Sequence, residues 1–383
     1  MILKFLHCAD LHLDKHFGCS GFTEEQKSLR RQELKQCFKR IIELAALEEV
    51  DLLIISGDLY EHEYVRRATI EFICSSFKEI PQIRVFIAPG NHDPFIANSF
   101  YNYHKWPDNV TIMTGDIPYI LLEDIDTCVY GVGFRNFYEG RSLVSKLVPA
   151  SCEHINLLVV HGTVDMEFGN FAYNPMKSSE LNELGMDYIA LGHFHNRIDN
   201  LGGYGNIYNP GSPEAMGFDE PGEHGVFIGE ITKRKGSGKA LDLRFHKTGI
   251  RSYVSTDVKL DGCCSEQEVF ERIQNAASMT DASNVVLEIK LKGHVDPVLK
   301  PDINKLRKCL GKAFFSVRVI DELIPDYNIG EIMKEYGLKG LFTRKVFEAL
   351  GQSRDEYEKR LLMKALYYGL EALDEGRISI NED

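Results

Sequence analysis

Along the first two hundred residues, short apolar runs end repeatedly in a polar or glycine turn. They read ILKFLHCAD from Ile2, VDLLIISGD from Val50, RVFIAPGNHD from Arg84, INLLVVHG from Ile155 and MDYIALGHFH from Met186. Runs so rich in Ile, Leu and Val, with so little alternation, predict strands buried on both faces and covered by helices, such as one over 33–49 between the first two. This is an α/β sandwich pattern. Ligands of such folds collect just beyond the carboxyl ends of the strands, so the five polar tails are expected to converge in space.

Farther on the texture changes. Hairpin-like strands are expected over 226–231 and 241–246, joined by the basic, glycine-rich TKRKGSGK. From Tyr253 the pattern reads strand, helix (265–277), strand (NVVLEIKLKG), helix (303–311), strand (FFSVRVID), a small α+β unit with its boundary near Gly249. From Pro325 the chain reads as helical, and Ser353 followed by Glu356 suggests a capping box for a helix reaching Leu373. Leu362, Ala365, Leu366, Gly369 and Leu373 form its apolar stripe. Three segments are therefore expected: 1–249, 250–325 and 326–383.

Charge and composition narrow the class. A chain of 383 residues with net charge -13 has no broadly basic surface, so any nucleic acid must be held by a local patch or by metals. Nine cysteines without a C-x-x-C pair suit reduced thiols and a cytoplasmic protein, and no apolar run is long enough to span a bilayer.

The five tails carry Asp10 and His12; Asp58; Asn91, His92 and Asp93; His161; and His193 and His195. Each motif alone reads equally well as a polar turn or a cap. Their joint placement at strand ends is the specific signal, and His193 and His195, two apart on an extended segment, project to the same side. Five imidazoles, three carboxylates and an amide are enough for two divalent metal ions sharing a carboxylate, with one imidazole to spare. Mixed nitrogen and oxygen donors without thiolate favour manganese, with iron or zinc as alternatives. Two such ions would let an acidic chain bind a polyanion.

The series DLH, GD, GNHD, a single H and GHFH resembles the calcineurin-like metallophosphoesterase superfamily over roughly the first 230 residues. HCADLHLD, GDLYE and YNPGSPEAMGFDEPGEHG are most similar to its DNA-repair exonuclease branch, the SbcD-type nucleases that work with an SMC-like ATPase. The resemblance implies a metallophosphoesterase β-sandwich flanked by helices for 1–249, a smaller α+β capping domain for 250–325, and a C-terminal helical segment for docking a partner, with packing on the second unit as ordinary core the equal alternative for that segment. It implies that Asp10, His12, Asp58 and His195 hold one metal, and that Asp58, Asn91, His161 and His193 hold the other, with Asp58 bridging. His92 would protonate the leaving oxygen or fix the scissile phosphate. Some members of the branch carry a histidine three residues after the bridging aspartate, where this chain has Glu61 followed by His62. The expected activity is a metal-dependent DNA exonuclease or endonuclease in DNA repair. The expected partners are DNA, an SMC-like ATPase subunit and, as an option, a second copy of the chain. A phosphodiesterase or phosphatase for another phosphoester, and an ATPase scaffold with vestigial activity, stay open as alternatives.

Overall fold

The computed structural model describes residues 1–18, 21–117, 119–147, 153–166, 173–234, 238–278 and 282–376, and the chain divides into two compact units, Met1–Tyr253 and one beginning at Val254. The first unit opens with β1 (Ile2–Cys8), α1 (Glu24–Leu47), β2 (Leu52–Ile55), α2 (Arg67–Lys78), β3 (Arg84–Ile87), α3 (Phe100–Tyr103) and β4 (Val110–Ile112). It continues through β5 (Ile120–Leu122), β6 (Thr127–Val132), β7 (Ile155–His161), α4 (Ser178–Glu183), β8 (Tyr188–Gly192), β9 (Ile207–Tyr208), β10 (Gly225–Lys233) and β11 (Lys239–Lys247). Two sheets result, ordered β11-β10-β1-β2-β3-β4 and β5-β6-β7-β8-β9. The first strand lies inside its sheet, parallel to β2 on one side and antiparallel to β10 on the other, where Ile2 is opposite Thr232.

The lack of alternation in the apolar runs has a direct cause. Between the sheets, Leu3, Phe5, Leu52, Ile54 and Phe86 share one core with Leu157, Val159, Tyr188 and Ala190. The intervening residues of the second sheet, Leu158, Val160, Ile189 and Leu191, form another core with Leu181 and Met186. Fully burying each such side chain is worth about 1.5–3 kcal/mol, so both faces favour apolar residues. Helix α1 begins well before the apolar stripe that predicts it, because Thr23 and Gln26 form a reciprocal capping box: the Thr23 hydroxyl accepts from Gln26 N at 3.2 Å, and Gln26 Oε1 accepts from Thr23 N at 2.9 Å.

The basic hairpin is less available than its sequence suggests. Lys233 Nζ donates to Asp187 Oδ2 at 2.8 Å and to the His154 carbonyl, and Lys239 Nζ donates to the Asp187 carbonyl at 2.9 Å. Lys235 lies outside the described residues.

The second unit carries β12 (Ser252–Lys259), α5 (Glu266–Ala276), β13 (Val285–Val295), α6 (Ile303–Leu310) and β14 (Ser316–Pro325), with strand order β12-β13-β14. Leu287 and Ile289 of β13 pack with Val269 and Ile273 of α5 and Leu306 and Leu310 of α6. Three helices follow, α7 (Ile329–Ile332), α8 (Leu338–Gln352) and α9 (Glu356–Glu375). Their apolar stripes meet one another: Ile332, Val346, Leu366 and Leu370 form a separate core with Phe342 and Leu362 packed against it. The expected capping box is displaced. Asp355, two residues after Ser353, is the N-cap and accepts from Tyr357 N at 2.9 Å, while the Ser353 hydroxyl donates to Glu358. A carboxylate beside the first turn meets its free N–H groups more directly than a serine two residues back. Among the described residues, no helix is long and apolar enough to cross a membrane.

Because the three helices keep their own core, a chain ending at Asp326 is expected to melt within about 4 °C of the full chain, the shift that roughly 1 kcal/mol produces in a unit of this size. Calorimetry checks this, and a larger fall would mean that the helices stabilise the rest.

Candidate dinuclear metal centre

Strands β1, β2 and β3 run parallel in one sheet, and β7 and β8 run parallel in the other. Their carboxyl ends deliver Asp10, His12, Asp58, Asn91, His92, His161, His193 and His195. Just past the strands the chain enters the left-handed region at Asp10 (φ 53°), His12 (45°), Asp58 (53°) and His193 (101°). Residues with side chains pay roughly 1–3 kcal/mol for such backbone, and surrounding bonds must impose it. Asp10 N donates to the Gly57 carbonyl at 3.1 Å, His12 N to the Asp58 carbonyl at 2.9 Å, and His193 N to the Asp10 carboxylate at 3.0 Å. Two glycines make room. A Cβ on Gly90 would sit 2.2 Å from Asp58 Oδ1, and one on Gly192 would sit 1.9 Å from the Ser56 carbonyl.

Asp93 is the exception among the expected acids. Its Oδ1 accepts from Gly90 N at 2.6 Å and Asp58 N at 3.1 Å, and its Oδ2 accepts from Leu59 N and the Tyr101 hydroxyl, each at 2.7 Å. The fully buried carboxylate pins the GNHD turn to the GD turn and has no place left for a metal.

The other donors face one another. Asp58 Oδ2 lies 3.6 Å from His12 Nε2 and 3.4 Å from His161 Nε2, while Asp58 Oδ1 accepts from His92 N at 2.9 Å. Nε2 of His12 and Nε2 of His195 are 3.0 Å apart. Asn91 Oδ1 is 3.0 Å from His161 Nε2 and 3.2 Å from His193 Nδ1. Three rings have their far nitrogens tied to acceptors: His12 Nδ1 to Glu61 Oε1 at 2.9 Å, His195 Nδ1 to Glu220 Oε1 at 2.6 Å, and His161 Nδ1 to the Ser56 carbonyl at 2.8 Å. Carbonyl and carboxylate oxygens only accept here, so each Nδ1 carries a proton and each Nε2 faces inward, where it offers a lone pair to a metal once it holds no proton of its own. Facing lone pairs repel unless a proton or cation lies between them. Donors each about 2.0–2.2 Å from one ion stand roughly 3 Å apart, which is the spacing seen, so these residues fit divalent metals. Asp10 with His12 and His195, and Asp10 with Asp58 and His161, form two groups whose donor atoms all lie within 4.8 Å of one another.

Burial and charge divide the cluster electrically. Burial pushes Asp10 up to about 6 and His12 down to about 4. Burial, then the neighbouring His161, takes His193 down to about 3. Burial opposes ionisation of Asp58 too, but His161 and His12 hold it well below the usual carboxylate range. His161 rises to about 9 because Asp58 and Asp10 outweigh its desolvation. His92 also rises to about 9: burial lowers it, but its bond to Glu61 and the charge of Asp58 prevail.

Sequence reasoning noted Glu61 only as a departure and passed over Glu220. Glu61 holds two rings at once, His12 through Oε1 and His92 through Oε2 at 2.8 Å. Its spacing three residues after Asp58 was a visible signal. Glu220 had none, since Asp219 and Glu223 share its loop and look alike in sequence.

Residues 3–197 match the family model for the calcineurin-like phosphoesterase. The chain is 28% identical over 239 residues to the uncharacterized metallophosphoesterase YhaO of Bacillus subtilis, covering 60% of this chain and 58% of that protein. It is 28% identical over 232 residues to the DNA double-strand break repair protein Mre11 of Saccharolobus solfataricus, covering 57% and 56%. Against the SbcD component of the SbcCD nuclease of Staphylococcus epidermidis the figures are 25% over 229 residues, covering 50% and 57%. The chain thus spans a little under three fifths of the length of these relatives.

The double grip of Glu61 makes a prediction for the metal-free protein. Glu61→Gln removes the negative charge beside His92, so the His92 ring should titrate below its present value of about 9, toward the ordinary ~6.5 of histidine. Nuclear magnetic resonance of the ring nitrogens reads it, and an unchanged titration would assign the elevation to Asp58 instead.

Proposed function

The chain belongs to the calcineurin-like phosphoesterase family, and from that premise we propose that it is a dinuclear-metal-dependent nuclease that hydrolyses phosphodiester bonds in DNA. One observation carries the metal reading: the imidazoles of His12, His161 and His195 have their outer nitrogens occupied and their inner nitrogens turned toward shared neighbours. In this reading Asp10, His12, Asp58 and His195 would hold one ion and Asp58, Asn91, His161 and His193 the other, with Asp58 serving both. When bound, two divalent cations supply an activated hydroxide and neutralise charge on the phosphate.

The remaining chemistry belongs to the chain. His92 has Nδ1 fixed by Glu61, which leaves Nε2 for a substrate, and in the metal-free protein its bond to Glu61 and the charge of Asp58 favour the charged ring. A charged imidazole in that position donates its proton to the departing oxygen. DNA as substrate is supported by two relatives, whose names place one in double-strand break repair and the other in a nuclease. The net charge of -13 fits a polyanion only if attraction is local, and two dications would provide it. For α8 and α9 we propose an SMC-like ATPase subunit as partner, because Leu338, Leu341, Tyr357 and Leu361 remain exposed although the helices already pack on each other.

The deciding assay offers the purified protein end-labelled linear DNA, duplex and single-stranded, beside a chromogenic phosphodiester, with manganese and with a chelator. Hydrolysis of both classes with manganese and of neither with chelator is expected. Cleavage of the chromogenic ester with DNA untouched would move the substrate elsewhere. His92→Asn should slow cleavage by about 10²- to 10⁴-fold and keep its metal, whereas Asp58→Asn should lower the occupancy of both ions. Metal analysis after desalting separates the two variants.

A further inference from the structure

Glu220 is 4% exposed and holds His195, and it is itself held from two sides. Its Oε2 accepts from the Ser212 hydroxyl at 3.1 Å and from Met216 N at 2.8 Å. The N–H of Met216 belongs to the same peptide unit as the carbonyl of Ala215. That carbonyl accepts from Arg30 Nη2 at 2.6 Å, and Arg30, on α1, is wholly buried. A guanidinium on the oxygen of a peptide draws electron density toward it and makes the N–H a stronger donor. One peptide therefore links a buried cation to the carboxylate that orients a histidine of the centre.

We infer that Arg30 is a positioning residue for His195, acting through the Ala215–Met216 peptide and Glu220. The inference rests on the reading of His195 as a metal ligand. The surroundings of Arg30 fit the task better than a general role in packing. Its Nη1 donates to Glu33 Oε2 at 2.5 Å and to Glu214 Oε1 at 3.3 Å, so a planar fork is fixed by two carboxylates while its second arm reaches the loop. Glu33 is gripped in turn by Arg251, and Glu214 accepts from Ile250 N at 2.8 Å and Arg251 N at 2.9 Å. Two guanidinium groups and two carboxylates balance one another, and the loop bearing Glu220 is anchored to α1 without a net buried charge.

Arg30→Lys isolates this link. The ammonium keeps a positive charge for Glu33 and Glu214, but a single point donor does not span those carboxylates and the Ala215 carbonyl together. Manganese binding is measured by equilibrium dialysis and by electron paramagnetic resonance on wild type, Arg30→Lys, Glu220→Gln and the double variant. In Arg30→Lys one of two ions should bind about 10- to 100-fold more weakly, the usual effect of losing a group that orients a ligand, while the other is unchanged. Glu220→Gln should weaken the same ion, and adding Arg30→Lys to it should have little further effect. The inference is overturned if both ions bind Arg30→Lys as they bind wild type, if both weaken together, or if the two substitutions simply add. Wild-type affinity for both ions in Glu220→Gln would overturn it whether or not Arg30→Lys folds. A wild type holding fewer than two ions would remove the metal reading and this inference with it.

Discussion

A carboxylate at 1% exposure needs compensation from its surroundings, and Asp58 organises the centre through that need. The imidazoles of His12 and His161 approach one of its oxygens, the backbone of His92 donates to the other, and Gly90 offers no Cβ where one would collide with it. Its own backbone is left-handed and is held there by Asp93, a second buried acid that accepts from the N–H groups of Asp58 and Leu59. The two sheets bring the pieces together, but the local turns exist in the form that lets this one side chain stay charged.

Around this centre the charges are arranged in layers. Inner imidazoles are tied to outer carboxylates, Glu61 and Glu220, and Glu220 is tied by one peptide to Arg30 on the helix. The outermost layer joins α1, the loop after β9 and the residues just before β12 through Arg30, Glu33, Glu214 and Arg251. Helix α1 thus both covers the sheet with its apolar face and supports the centre with its buried polar residues. An enzyme with an acidic surface can assemble such a site because the compensation is internal and short in range.

Much of this was legible in the sequence, for identifiable reasons. A strand buried on both faces is apolar along most of its length, so β1, β2, β3, β7 and β8 appeared as runs, and the donors appeared as their tails. Residues that belong to no periodic pattern were harder to place. Asp93 counted among the candidate carboxylates because an acid that takes four hydrogen bonds has the same one-letter code as one that takes a metal. The first turns of α1 were invisible to an apolar stripe, since Glu24 to Ser28 are all polar and only the Thr23 cap marks the start. The C-terminal helices showed their stripes but not their partners, because a stripe states that something must be covered and leaves open by what. Arg30 and Glu220 lie 190 residues apart in a chain where acids and arginines are common, and only folding distinguishes them.

The position of β1 within its sheet has a consequence for synthesis. Its antiparallel neighbour β10 begins at Gly225, so on a ribosome adding about 5–20 residues each second, one edge of the first strand waits on the order of ten seconds or more for its partner. During that interval β1, β2 and β3 present an unpaired, strongly apolar edge of the kind that pairs with other chains. The nascent protein is therefore most exposed to aggregation before the segment from β10 to β11 emerges, and a chaperone that shields an open β-edge would act within that window.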